Sequence, residues 1–185
     1  MESIKLHYDV SGNDFTCAGE ASGKIKRELK GLGFPNDIVR NVAIAVYEGE
    51  INMVIHAGGG VIDVEITPEC ISIDLIDEGP GIPDVSLAMK EGYSTAPENV
   101  RQLGFGAGMG LPNIKKYTDE MVIDTKVDVG TTIHLKVFVK YFSRSVYGGE
   151  KGCYQPPYNH RRKYTYIYLE IKENCAKNFG NCEVG

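Results

Sequence analysis

The sequence predicts an α+β domain, a two-layer α/β sandwich with helices on one face of a mixed, mostly antiparallel sheet. Three observations carry this. The predicted elements run β, α, α, β, β, loop, α, β, β, an order in which strands follow one another in pairs. Each pair is joined by a turn signal, Pro68-Glu69 in the first and Asp128-Val129-Gly130 in the second. Finally, 185 residues with 42% apolar and 24% charged side chains suffice for one domain with a core and room for an appendage.

Taken in order, residues 3–9 alternate polar and apolar side chains and read as a half-buried strand. Residues 18–32 turn to a helical period, closed by Gly31-Leu32-Gly33 and Pro35. A second helix starts at Asn36 or Asp37, runs to about Ala57 and stops at Gly58-Gly59-Gly60. The β-branched runs 61–67 and 71–76 form a hairpin. Residues 77–110 hold much of the glycine and show little periodicity beyond a short helix at 85–90; a loop this long in a small domain is usually functional. A helix from about residue 109 through Lys116 and strands at 120–127 and 131–139 complete the domain.

Residues 141–185 differ in kind. They hold seven of the eleven tyrosines and three of the five cysteines, and only 163–171 alternates like a strand. The predicted organisation is therefore a domain over 1–140 and a Tyr/Cys-rich appendage over 141–185. Charge divides the same way: residues 1–140 carry 13 Lys+Arg against 21 Asp+Glu, and the remainder 7 against 4. An acidic main body is not expected to bind nucleic acid directly. No apolar run approaches the roughly 20 residues of a membrane span. Five cysteines, an odd number without close pairing, and no secretory leader point to a reducing cytoplasm.

Chemistry concentrates at three places. In the second helix Glu48, Asn52 and His56 recur one turn apart on a segment otherwise apolar nearly all round. A lone helical Asn usually satisfies the backbone, but a carboxylate and a carboxamide at i, i+4 can also face one ligand. The carboxamide oxygen would suit Mg²⁺ and the carboxylate would polarise a hydroxyl or water. Next, a buried-looking strand delivers Asp77 into Glu78-Gly79-Pro80-Gly81, placing a carboxylate beside two residues without side chains. A flat base could approach there, and a carboxylate accepts from an exocyclic amine, which makes adenine a sensible guest. Last, Gly104, Gly106, Gly108 and Gly110 alternate into a helix start, a cradle for phosphate. It lacks the spacing of a dinucleotide fingerprint and the Gly-Lys-Ser/Thr of a Walker loop.

Together, Glu48-x-x-x-Asn52, Asp77-x-Gly79-x-Gly81 and Gly106-x-Gly108-x-Gly110 resemble the GHKL ATPase superfamily, which includes gyrase B, histidine kinases and MutL. The short lid between the glycine boxes and the closing Asp128-Val129-Gly130-Thr131-Thr132 are most similar to bacterial anti-sigma-factor serine kinases and stressosome switch kinases. Ala88-Met89-Lys90-Glu91-Gly92-Tyr93-Ser94-Thr95 and Gly110-Leu111-Pro112-Asn113-Ile114-Lys115-Lys116 resemble the switch kinases in particular. The resemblance covers about residues 1–140 and implies the Bergerat ATP-binding fold, with ATP and Mg²⁺ as cofactors. By position it implies that Asn52 holds Mg²⁺ against the phosphates and that Asp77 reads the adenine amine. Gly79 and Gly81 would admit the base, Gly106, Gly108 and Gly110 would wrap the triphosphate, and Thr132 would support the adenine end. Glu48 would be the general base that takes the proton of a substrate serine. One departure is Gly106, where many anti-sigma kinases carry an arginine; Arg101 is the nearest arginine in the lid.

The function expected on this basis is an ATP-dependent protein serine/threonine kinase of the anti-sigma or switch type. It would phosphorylate a small antagonist, an anti-anti-sigma protein or one like it, in a circuit regulating transcription. A sigma factor is a further candidate partner and a homodimer a candidate assembly, with no direct nucleic acid and no membrane involved. The alternative is a nucleotide-gated binding module for a sigma factor or regulator, which would need Asn52, Asp77 and the glycines but not Glu48. A detached histidine-kinase ATPase domain is less expected, because no phosphoacceptor helix precedes residue 1. If Glu48 were not the base, Glu50 would be the nearest substitute, although it faces about 200° away on an ideal helix.

Overall fold

A computed structural model describes residues 3–12, 18–102 and 104–139 of the chain. The appendage expected over 141–185 lies outside the described residues. Strand β1 (Ile4–Ser11) alternates as its sequence does. Helix α1 (Glu20–Gly31) buries Ala21, Ile25 and Leu29, four residues apart. It closes where the Gly33 N–H donates to the Lys30 carbonyl and the Phe34 N–H to the Leu29 carbonyl, with Gly33 at φ 84°. That left-handed residue turns the chain sharply into the next helix.

Helix α2 (Asn36–Asn52) is followed without a break by a wider, π-helical turn at Met53–Ala57. The expected end at residue 57 is met, but the last turn holds an extra residue, a feature frequent at functional sites. Strands β2 (Gly59–Ile66) and β3 (Cys70–Asp77) form the expected hairpin. Short helices α3 (Val85–Ala88) and α4 (Glu98–Gln102) lie within the glycine-rich stretch; α4 has too few turns to show a period in sequence. Helix α5 (Gly110–Tyr117) and the hairpin β4 (Glu120–Lys126) and β5 (Gly130–Phe138) complete the described residues.

The five strands form one sheet in the order β1-β2-β3-β5-β4. All four pairings are antiparallel, the limit of the mostly antiparallel sheet expected. The helices occupy one face, α1 over β1, α2 over β3 and β5, and α5 over β4. Between the layers Ile62, Val64, Ile71, Ile73, Leu75 and Leu135 meet Ile25, Leu29, Val42, Val46 and Ile114, all almost wholly buried. Each such side chain contributes about 1.5–3 kcal/mol by leaving water. The opposite face is polar, with His7 Nδ1 2.6 Å from Asp63 Oδ1 and His134 Nδ1 2.7 Å from Asp74 Oδ1 across adjacent strands. Among the described residues no helix is long and apolar enough to cross a membrane.

Helix α2 can lie close to β3 because Gly49 is there. A Cβ at this residue would stand 2.3 Å from Leu75 Cδ1. That approach brings the Glu48–Asn52 face of the helix against the end of the strand that carries Asp77.

Candidate active site

A cleft of about 600 Å³ opens between α2, the ends of β3 and β5, and the glycine-rich segment before α5. This is within the usual range for small-molecule sites. Glu48, Asn52 and His56 line it from α2 and the π-helical turn, Asp77 and Gly81 from the end of β3, and Gly106, Gly108 and Gly110 from the loop. Residues separated by more than sixty positions thus share one cavity. Glycine is needed in the loop: Gly108 has φ 74°, and a Cβ on it would fall 2.5 Å from the Tyr93 carbonyl oxygen. The loop is held to the lid by a hydrogen bond from the Gly92 N–H to the Gly108 carbonyl.

Asp77 sits at the very end of β3. Its Oδ1 accepts the Gly79 N–H at 2.9 Å, which fixes the carboxylate at the turn. Its Oδ2 has no donor among the described residues. Glu48 is half-buried and accepts a 2.7 Å hydrogen bond from Asn113 Nδ2 in the first turn of α5. Asn52 has no hydrogen bond from its carboxamide among the described residues, and Gly110 packs so closely that a Cβ there would stand 3.0 Å from Asn52 Oδ1. His56 keeps solvent exposure at the rim, yet the surrounding walls desolvate its ring and lower its pKa, against the pull of the Asp77 carboxylate. Desolvation thus favours the neutral ring in the absence of a bound anion.

Two expected residues are placed differently. Thr132 does not line the cleft; Thr131 and Ile133 do. Alternation along β5 turns residue 132 to the other face, paired with Ile76 and Asp124, while Thr131 lies opposite Asp77 in the register. Thr131 Oγ1 is 3.0 Å from Thr125 Oγ1, which also accepts the Ile82 N–H at 2.8 Å. Thr131 floors the Asp77 end of the cleft, with Thr125 bonded behind it. The alternation with core-facing Ile133 held the signal for Thr131; Thr125 had none. Gly79 lies outside the lining too, and a Cβ there would clash with Ala57 at 2.6 Å, so its bareness serves the packing of strand end against helix end.

Glu50 is removed as a substitute base. It is 2% exposed, and its two oxygens accept the backbone N–H groups of Ala21 and Ser22, each at 3.0 Å. The carboxylate caps the N-terminus of α1, on the far side of α2 from the cleft. Arg101 is likewise engaged: Nε donates to the Ala96 carbonyl and Nη2 to the Ser94 carbonyl, both at 3.0 Å. It clasps the lid and does not line the cleft.

The residues present fit Mg²⁺ bound together with a nucleotide. Among the described residues no group of three or more His, Cys, Asp or Glu side chains is placed to hold a metal ion. What the cleft offers is one carboxamide oxygen at Asn52, which suits a hard cation that keeps its waters and takes further oxygens from phosphates.

An antiparallel two-layer fold whose helix face meets a strand-end carboxylate and a glycine cradle defines a nucleotide-binding domain of the ATPase kind. The chain belongs to the family described as histidine kinase-, DNA gyrase B-, and HSP90-like ATPase, whose model matches residues 38–140. It is 32% identical over 124 residues to the serine/threonine-protein kinase RsbT of Bacillus subtilis, covering 65% of this chain and 85% of that one. It is also 32% identical over 115 residues to an anti-sigma F factor of Bacillus licheniformis, covering 59% and 73%. A second anti-sigma F factor, from Caldanaerobacter subterraneus, is 32% identical over 112 residues, covering 58% and 73%.

Proposed function

We propose that this chain is an ATP-dependent protein serine/threonine kinase of the anti-sigma or switch type, acting on a small antagonist protein in a partner-switching circuit that regulates transcription. The observation that carries the reading is Glu48: a carboxylate one turn from Asn52, lining the same cleft as Asp77 and the glycine loop. A module that only binds nucleotide has no use for a base at that position. The names of the relatives, a serine/threonine kinase and anti-sigma factors, support the same reading.

In this reading Asp77 accepts the adenine amine, and the backbone N–H groups of Gly106, Gly108 and Gly110 face the triphosphate. Glu48 takes the proton of the attacking seryl hydroxyl as its oxygen bonds to the γ-phosphorus and the bridging bond to ADP breaks. Asn52 would hold Mg²⁺ from the protein side, and the cation would neutralise phosphate charge. The kinase domain spans 1–140, with 141–185 as an appendage, and the protein works in the cytoplasm. The antagonist is of the anti-anti-sigma kind; a sigma factor is a second partner.

Replacing Glu48 by Gln keeps the shape and removes the proton acceptor. Phosphate transfer from ATP should fall by roughly 10²–10⁴ while ATP affinity, measured by calorimetry, barely changes. Asn52→Ala is the contrast, and should weaken Mg²⁺-dependent nucleotide binding as well as turnover. A wild type and a Glu48→Gln variant alike in both assays would leave only the nucleotide-gated binder.

A further inference from the structure

We propose that Asn113 is a positioning residue for the Glu48 base, linking it to the glycine loop; the inference rests on the kinase reading above. The hydrogen bond from Asn113 Nδ2 to Glu48 Oε1 is 2.7 Å, short for N–H···O, as bonds to an ionised acceptor are. Because a carboxylate only accepts, the carboxamide must present its nitrogen, so its orientation is unambiguous. The bond engages one carboxylate oxygen. Oε2 has no donor among the described residues and remains to receive a proton.

The placement of Asn113 makes this more than a local contact. It lies one turn into α5, whose first residue, Gly110, is the last glycine of the loop. Its own N–H donates to the Met109 carbonyl at 2.9 Å, so it belongs to the turn that the loop feeds. Gly110 in the same turn packs against Asn52. One helical turn therefore touches both the base and the cation-holding carboxamide, and a loop drawn onto the phosphates carries the base's partner with it. A carboxamide suits this position because it donates without bringing a charge that would hold the proton off or compete for it. Lys115 and Lys116, the nearest cations in sequence, are exposed on α5.

The test uses the full chain with Mg·ATP alone, water standing in for the seryl hydroxyl, and reads phosphate release. Asn113→Ala should lower kcat about tenfold and leave KM for ATP within about twofold. In a Glu48→Gln background the same substitution should cost nothing further, since the two residues act as a unit. An unchanged kcat, or an equal loss in the Glu48→Gln background, overturns the inference. Should Asn113→Ala not fold, the isosteric Asn113→Asp replaces it and is expected to lose at least as much. A wild type that releases no phosphate from ATP alone leaves the kinase reading to the transfer assay above. The hydrogen bond is then read by NMR: Asn113 side-chain amide signals that move on Glu48→Gln support the link, and signals that stay overturn it.

Discussion

At the scale of single residues, the carboxylate of Asp77 has divided duties. Oδ1 is spent on the Gly79 N–H, which holds the side chain at the strand end, and Oδ2 is left for a guest. Asp77→Asn preserves the first duty, since an amide oxygen also accepts, but turns a donor toward the position where, in the proposed reading, the adenine amine needs an acceptor. Facing two donors costs on the order of 1–3 kcal/mol, so ATP affinity should drop roughly tenfold or more with the fold intact. Calorimetry on the folded variant showing wild-type affinity would rule out adenine at this end of the cleft.

At the scale of elements, α2 organises the molecule by sending successive residues in different directions. Glu48 and Asn52 face the cleft, Gly49 lets the helix approach β3, and Glu50 reaches back to cap α1. A buried carboxylate is tolerated there because two N–H groups and the positive end of a helix compensate it. Glu50→Ala would leave both N–H groups unpaired in the interior, a loss of about 1–3 kcal/mol or more. The melting temperature and the denaturant midpoint should fall clearly, with turnover per folded molecule far less affected than by Glu48→Gln. A variant as stable as the wild type would mean that α1 finds its cap elsewhere.

At the scale of the whole molecule, stability is unevenly distributed. The sheet and its three covering helices share one continuous core, whereas Ala96 and Val100, the buried apolar side chains of the segment before the glycine loop, lie outside it. The Arg101 clasp closes this segment on itself rather than onto the core. Such a segment opens at low cost, and phosphate would give the Gly106 and Gly108 N–H groups acceptors, whereas the Gly104 N–H already donates to the Arg101 carbonyl. Amide exchange over 94–108 should slow when ATP and Mg²⁺ are added, with the strands β2, β3 and β5 unchanged. Equal exchange in both states would deny this loop its role in binding.

The elements and the chemical inventory were legible in the chain because they rest on local rules. Period-2 and period-3.6 patterns reveal strands and helices, and glycine at Gly33 and Gly58 marks helix ends. Glu48 and Asn52 were readable as a pair because 3.6 residues per turn places i and i+4 on one face. What local rules cannot carry is which distant group meets which. Asn113 meets Glu48 across 65 positions, and Glu50 meets Ala21 across 29; both bonds exist only because helices lie side by side on a sheet. The choice of Thr131 over Thr132 likewise depended on which face of β5 the core occupies, and the dry role of Gly79 on Ala57 arriving from a helix end. Sequence determined the residues available for nucleotide chemistry; packing decided which of them face the cleft and which hold the others in place.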